Sequence, residues 1–452
     1  MNTKNAQSML NSDLAHVWHP LAQHSTFQEK PPMLVVSAQG SRVTDSNGRE
    51  YIDTMAGLWC VNAGYGQQSI VDAACEQMKK LVYYPHTAAN EPASALSAEV
   101  SRVLGNGLDR IYFTNSGSES NEAAFKIARQ YGRQAHPTEN RFKIIARHRA
   151  YHGTTMGALS ATGQSERRWK FEPLVPGFLH AAPAYCYRCV FGQKYPGCNL
   201  ECVKQIEEMI LYEGPETVAA VIVEPIVGGG GVLVPVDEYL PELRAITKRY
   251  GVLLISDEVI CGFGRTGKMF GFQTFGIKPD IVSMAKGISS AYLPLGATAT
   301  TGEIFSKFLG RVEDRVQLTQ VNTYGGHPVS CAAALANIKI IEGLVDRAGS
   351  FGNALLEELK KLEKYPKVGE VRGKGMIYGI ELVSDKKTKE PVSNAIMAQV
   401  AAKAMERGVM IGKTSMMTYH LNNVIWMSPP LVLTEEEAKK IVSVLHEVLK
   451  EL

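Results

Sequence analysis

Between residues 111 and 284 the chain alternates short, uninterrupted apolar runs with longer stretches of helical period. The runs are IYF (111–113), FKIIA (142–146), VAAVIV (218–223), VLLIS (252–256) and DIVSM (280–284), each closed by a polar or glycine-rich cluster. Strands that are apolar on both faces and alternate with helices predict an α/β fold: a mostly parallel sheet covered by helices on both sides. The two ends of the chain differ. Met33 to Ser37 and Arg42 to Thr44, with the turn signal Asp45-Ser46-Asn47-Gly48, predict hairpins at a domain edge. The last hundred or so residues are helix-rich and charged, with strand candidates at Gly375–Leu382 and Val424–Ser428, and predict a smaller lobe to which the N-terminal segment returns. Its final helix is expected over Thr434–Leu452. Thr434 serves as N-cap, Glu435 to Glu437 fill the first turn, and Ile441, Val442, Val444, Leu445 and Val448 share one face.

Composition narrows the function classes. Of 452 residues, 48 are basic and 45 acidic, giving a net charge of +3 with the two signs interleaved along the chain. That balance argues against nucleic acid as a partner. The most apolar stretch, Val218 to Val236, is broken by Glu224, two prolines and four glycines, so no membrane helix is expected. The N-terminus lacks an apolar signal core, and eight cysteines in so long a chain fit a reducing compartment, so the expected location is cytoplasmic.

In open α/β sheets ligands bind at the carboxyl ends of the strands, so the residues that close each apolar run carry the candidate chemistry. After IYF comes Thr114-Asn115-Ser116-Gly117-Ser118 and a helical pattern, which predicts a phosphate cradle of backbone N–H groups; the plainer reading is a helix cap at Ser118 with Glu119 to Glu122. After FKIIA comes Tyr151-His152-Gly153, after VAAVIV Glu224, and after VLLIS Asp257-Glu258-Val259. A single carboxylate at a strand end is usually a cap or an ion-pairing group, but two on separate strands at one rim point to a site. After DIVSM comes Ala285-Lys286-Gly287. Most lysines are solvated surface charges; Lys286 follows an apolar run between two small residues, an environment that favours the neutral, nucleophilic amine. A phosphate cradle, a stacking aromatic, a carboxylate for a ring nitrogen (Asp257) and a neutral lysine for an aldehyde are what pyridoxal phosphate requires of a protein.

The motifs NSGSESNEAAFKIAR, AYHGTT, VEPIVGGGG, LLISDEVICGFGRTGKMFG, KPDIVSMAKGISSAYLPLGA, TYGGHP and VIWMSPPL, with Trp59 in GLWCVNAGYG, resemble in order and spacing the class III pyridoxal-phosphate aminotransferases of fold type I. That resemblance implies a large cofactor domain over residues 60–330 and a smaller α/β domain made of 1–59 and 331–452. It makes Lys286 the Schiff-base lysine and proton shuttle and Asp257 the partner of the ring nitrogen. Val259 packs under the ring and Tyr151 on its other face, His152 and Glu224 belong to the cofactor site, and Gly117 and Ser118 hold the phosphate. Thr323 reaches the phosphate of a neighbouring subunit, implying a homodimer or a tetramer built from it. Trp59 and Tyr151 are the expected substrate contacts.

Within the family, AHVWHPLAQH, the insert AYCYRCVFGQKYPGCNLEC and TYHLNN resemble members that move the amino group of taurine to pyruvate, giving sulfoacetaldehyde and alanine. β-Alanine, 4-aminobutyrate and diamines are alternative donors. Many relatives place an arginine before the Ser-Pro-Pro strand to grip a carboxylate; this chain has Thr418 to Asn423 there and no arginine. The anion site is then expected from Trp59, Tyr419, His420 or an arginine elsewhere.

Other readings are weaker. Gly262 to Gly267 fits G-x-G-x-x-G, but no helix pattern follows it, which excludes a dinucleotide fold. Cys186, Cys189, Cys198 and Cys202 approach a zinc spacing, yet the chemistry needs no metal and none is expected. Cys60, Cys75, Cys261 and Cys331 read as small core residues. A non-catalytic cofactor-binding regulator should carry a DNA-binding segment, and none is visible.

Overall fold

A computed structural model describes residues 3–415 and 421–452. Its centre is a seven-stranded sheet. In spatial order the strands are Leu108–Thr114, Gly296–Thr301, Ile281–Met284, Leu253–Asp257, Val218–Val223, Lys143–Arg147 and Phe178–Ala181. Gly296–Thr301 runs antiparallel to both neighbours, and the remaining neighbours pair in parallel. The six strands other than Gly296–Thr301 therefore end at the same edge, where the polar clusters of the sequence collect. All six residues of Val218–Val223 are buried. Each such Val or Ile contributes about 1.5–3 kcal/mol relative to exposure.

Both faces of the sheet are covered. The helix Gly117–Ala135 buries Ala123, Ala124, Phe125, Ile127 and Ala128, of which Ala124 to Ala128 pack with Ile144, Ile222, Ile255 and Ile281. The sequence missed Gly296–Thr301 (GATATT) and Phe178–Ala181, the first because it holds no large apolar residue.

Two smaller sheets complete the molecule. Val35–Gln39, Arg42–Asp45 and Glu50–Asp53 form an antiparallel meander, shifted by up to two residues from the expected hairpin. Its outer strand accepts Val409–Met410 in parallel, with Val409 opposite Ile52. Val368–Lys374, Ile377–Asp385, Val424–Met427 and Gly412–Lys413 form the third sheet, with Glu390–Pro391 on the side. The last helix spans Glu435–Lys450. Thr434 Oγ1 accepts from the Glu437 N–H at 3.2 Å and Glu437 Oε2 from the Thr434 N–H at 3.0 Å, a reciprocal cap. The buried Glu437 carboxylate also accepts from Ser41 Oγ at 2.6 Å and pairs with Arg42 at 2.8 Å, tying this helix to the N-terminal meander.

Among the described residues no single helix is long and apolar enough to cross a membrane. Gly262 to Gly267 lies in irregular turns and precedes only the four-residue helix Gly271–Thr274, as its glycine-rich sequence predicts.

Candidate active site

Eight predicted residues meet in one cavity of about 150 Å³ at the carboxyl edge of the large sheet: Gly117, Ser118, Tyr151, His152, Glu224, Asp257, Val259 and Lys286. Ser116, Asn121, Gly153 and Ile260 complete the lining.

The helix Gly117–Ala135 begins at the cavity, so its unpaired N–H groups and the positive end of its dipole face the space. The cap is Ser116, whose Oγ accepts from the Glu119 N–H at 3.2 Å, and not Ser118 as the plainer sequence reading had it. Ser118 Oγ is left to accept from the Thr154 N–H at 3.1 Å and to line the cavity. Two glycines are dictated by close approach. A Cβ on Gly117 would stand 2.9 Å from a Val259 methyl carbon, and one on Gly153, at φ 135°, would stand 2.4 Å from Ser118 Oγ.

Asp257 ends its strand with a carboxylate held by three donors. Oδ2 accepts from His152 Nδ1 at 2.7 Å and Asn121 Nδ2 at 2.8 Å, and Oδ1 accepts from the Val259 N–H at 3.1 Å. The other ring nitrogen of His152, the buried Nε2, has no partner among the described residues. Asn121 also donates to the His152 carbonyl at 2.7 Å, so it fixes both members of the pair. The sequence reading passed over Asn121 because it lies inside a helix; its position one turn after Gly117, on the face toward the strand ends, was the available signal. Glu224 accepts from the N–H groups of Tyr151 at 3.0 Å and Gly228 at 2.9 Å, and burial pushes its carboxyl up. Beneath the cavity, burial raises the Glu258 carboxyl to about 7, opposed by the hydrogen bonds it accepts from Gly271, Phe272 and Ser256.

Lys286 follows the strand Ile281–Met284 with its backbone at φ 50°, in the left-handed region where a non-glycine residue is strained. Its Nζ makes no hydrogen bond or ion pair among the described residues. Burial lowers its pKa, and nearby Asp257 and Glu224 only partly oppose this. The strained backbone, the unpaired amine and the desolvation all favour a nucleophile.

These groups fit pyridoxal phosphate: helix N–H groups and Ser118 for a phosphate, Tyr151 and Val259 for the ring faces, Asp257 for the ring nitrogen and Lys286 for the aldehyde.

Two predicted residues are not in the cavity. Trp59 is buried and stacks on Trp426 with ring centres 4.2 Å apart. It is not part of the cavity lining. Thr323 lies exposed on a loop, and its carbonyl accepts from Tyr83 Oη at 2.7 Å. It is not among the residues that line its own chain's cavity. Tyr419 and His420 fall outside the described residues.

Arg149, two residues before Tyr151, belongs to a buried charge cluster. Glu381 accepts from Arg188 at 2.5 Å, Arg372 at 2.7 Å and the Tyr185 hydroxyl. Arg149 and Arg372 lie over the Tyr185 ring, 4.9 and 5.1 Å from its centre. The cluster joins the cysteine-bearing segment to the third sheet. Cys186, Cys189, Cys198 and Cys202 line one small cavity, and burial raises Cys202 to about 11. No group of three His, Cys, Asp or Glu side chains is placed to hold a metal among the described residues. Cys261 and Cys331 are buried as expected and Cys60 is half-buried, but Cys75 is exposed: its helix Gln68–Lys80 turns that face to solvent.

Residues 24–449 match the family model Aminotransferase class-III. The chain is 48% identical over 449 residues to the Uncharacterized aminotransferase YhxA of Bacillus subtilis (strain 168), covering 99% of this chain and 97% of that one. It is 43% identical over 436 residues to the Taurine–pyruvate aminotransferase of Bilophila wadsworthia (strain 3_1_6), covering 95% and 94%. The crystal structure of a Bacillus anthracis aminotransferase superposes with a TM-score of 0.95 at 44% identity, covering all of both chains.

Proposed function

The chain belongs to the class III aminotransferases, enzymes that depend on pyridoxal phosphate, and we propose that it transfers the amino group of taurine to pyruvate, giving sulfoacetaldehyde and L-alanine. The observation that carries the chemistry is the pairing, in one cavity, of an unpaired, desolvated Lys286 amine with an Asp257 carboxylate fixed by three donors. The choice of donor is supported by the 43% identity to the Bilophila enzyme.

Bound there, pyridoxal phosphate supplies an aldehyde that takes up amines and a ring that accepts electrons from the adjacent C–H bond. Asp257 holds its negative charge at the ring-nitrogen position, steadied by His152 and Asn121. Tyr151 and Val259 keep water from the two ring faces, and Glu224 holds the Tyr151 backbone. Lys286 Nζ takes a proton from the aminomethyl carbon of taurine; in the second half it delivers one to the carbon derived from the pyruvate carbonyl. We assign Thr323 to the cavity of a second copy, making the active unit a homodimer. We assign residues 60–330 to a cofactor domain, and 1–59 with 331–452 to a smaller one that bounds the substrate side.

The test is a half-reaction on purified, cofactor-loaded protein. Taurine alone should bleach the visible band of the bound cofactor, and pyruvate should restore it with one alanine formed per site. A yellow protein inert to taurine but responsive to β-alanine or a diamine overturns the donor. A protein that takes up no cofactor overturns the whole reading.

A further inference from the structure

Against the ring of Tyr151, which lines the cavity, stands a cation outside the cavity's own lining that has no ion-pair partner among the described residues. The Arg167 guanidinium carbon lies 5.0 Å from the centre of the Tyr151 ring. Its Nε donates to Gln164 Oε1 at 2.7 Å. Gln164 is fully buried, and its Nε2 is anchored on the Arg149 carbonyl at 3.1 Å, so the guanidinium sits on a rigid mount. Its two terminal NH₂ groups make no hydrogen bond, and no carboxylate lies within ion-pair distance, among the described residues. Burial lowers its pKa, opposed only by Tyr151.

The neighbouring arginines are occupied: Arg147 donates to the Glu224 carbonyl, Arg149 to the Gly230 carbonyl at 2.7 Å, and Arg168 faces Glu172 at 3.7 Å. A half-buried cation held in place and left without an anion calls for one from outside. Its free edge offers the two parallel N–H donors that suit a carboxylate or sulfonate.

We propose that Arg167 is the anion subsite of this enzyme, receiving the sulfonate of an ω-amino sulfonate and the carboxylate of a 2-oxo acid in alternate half-reactions. It supplies the group that the sequence lacks ahead of the Ser-Pro-Pro strand. The inference rests on the transaminase reading but not on taurine being the donor.

The test compares wild-type holoenzyme with Arg167→Gln and Arg167→Lys. Calorimetric titration with ethanesulfonate and with propionate, neither of which can react, reads binding without turnover. The half-reactions are followed with taurine, β-alanine and benzylamine, which carries no anion. The expected result for Arg167→Gln is about 10- to 100-fold weaker binding of both anions. KM for taurine, β-alanine and pyruvate should rise by a like factor, while benzylamine stays within about twofold. Arg167→Lys should fall between. Equal losses with benzylamine would assign Arg167 to positioning Tyr151, and unchanged anion binding would remove the subsite; either overturns the proposal. If wild type ignores taurine, the donor reading fails alone, and β-alanine and pyruvate still decide the role of Arg167.

Discussion

Replacing Glu381 with Gln removes one negative charge from the buried arginine cluster while keeping the side chain's size. Glu381 is fully buried and receives Arg188, Arg372 and Tyr185. Without its charge, Arg149, Arg188 and Arg372 face one another with only Glu370, 2.6 Å from Arg372 and 30% exposed, to balance them. Breaking a buried pair by neutralising one partner costs about 3–5 kcal/mol. Unfolding entropy is about 2.1 cal/mol/K per residue, close to 1 kcal/mol/K for a chain of 452 residues, so the melting temperature should fall by about 3–5 °C. Glu370→Gln, which loses a partly solvated pair, should cost about 1 °C or less.

The pH dependence has a fixed sign. Burial alone would raise the Glu381 pKa, but Arg372, the Tyr185 hydrogen bond and Arg188 outweigh it and hold the carboxyl below the usual glutamate range. A depressed folded-state pKa contributes stability above the unfolded value and loses it as pH falls through the folded one. The gap between wild type and Glu381→Gln should therefore be constant near neutrality and close in acid. Differential scanning calorimetry at fixed scan rate, stepped from pH 7 downward, measures both quantities. A Glu381→Gln melting point within 1 °C of wild type, or a Glu370→Gln loss as large, would refute the reasoning.

Three further outcomes are expected. Lys286→Ala should melt close to wild type yet show no visible cofactor band with pyridoxal phosphate and no alanine formation, read by spectrum and coupled assay. Asn121→Ala, which removes one donor from Asp257 and one from the His152 carbonyl, should lower kcat/KM about 10- to 100-fold, since a hydrogen bond to a charged group is worth about 1.5–3 kcal/mol. Burial lowers the Lys286 pKa and Glu224 pulls it back up, so the rate of cofactor capture should rise with pH and level off below the usual lysine range. In Glu224→Gln that limb should move to lower pH.

The strand ends were readable because each apolar run stops where a polar residue of distinct chemistry begins: Glu224 after Val223, Asp257 after Ser256, Lys286 after Met284 and Ala285. The parallel pairing that collects them also follows from the runs, since a strand buried on both faces shows no alternation. Gly296–Thr301 carries no such mark. Its strand character comes from packing space: a Cβ on Gly296 would stand 2.5 Å from Thr114 and 2.7 Å from Ser120, so only a small residue fits between its sheet neighbour and the helix. The cap at Ser116 was misplaced by two residues because three serines in a row of five are equivalent by composition, and only backbone angles single out one. Arg167 was invisible for another reason. Its meaning depends on which carboxylates are absent around it in space, and a sequence cannot display an absence in three dimensions. Trp59 shows the converse: the motif makes it a substrate contact, but its ring is stacked on Trp426 and is not part of the cavity lining.

Residues 52 and 53 find their parallel partners at 409 and 410, and Thr54 Oγ1 donates to the carbonyl of Met410, 356 residues away. At about 5–20 residues per second of synthesis, that edge of the N-terminal meander waits roughly 20–70 s for its mate to leave the ribosome. The strands of the seven-stranded sheet have all emerged by residue 301, so the catalytic floor can close while the amino end is still an open template. A nascent chain halted before residue 409 would carry a nearly complete floor beside a raw strand edge, the geometry that invites one chain to stack on another. Order of synthesis thus leaves residues 50–53 with one unpaired edge from the time the floor's last strand is made until Val409 and Met410 follow.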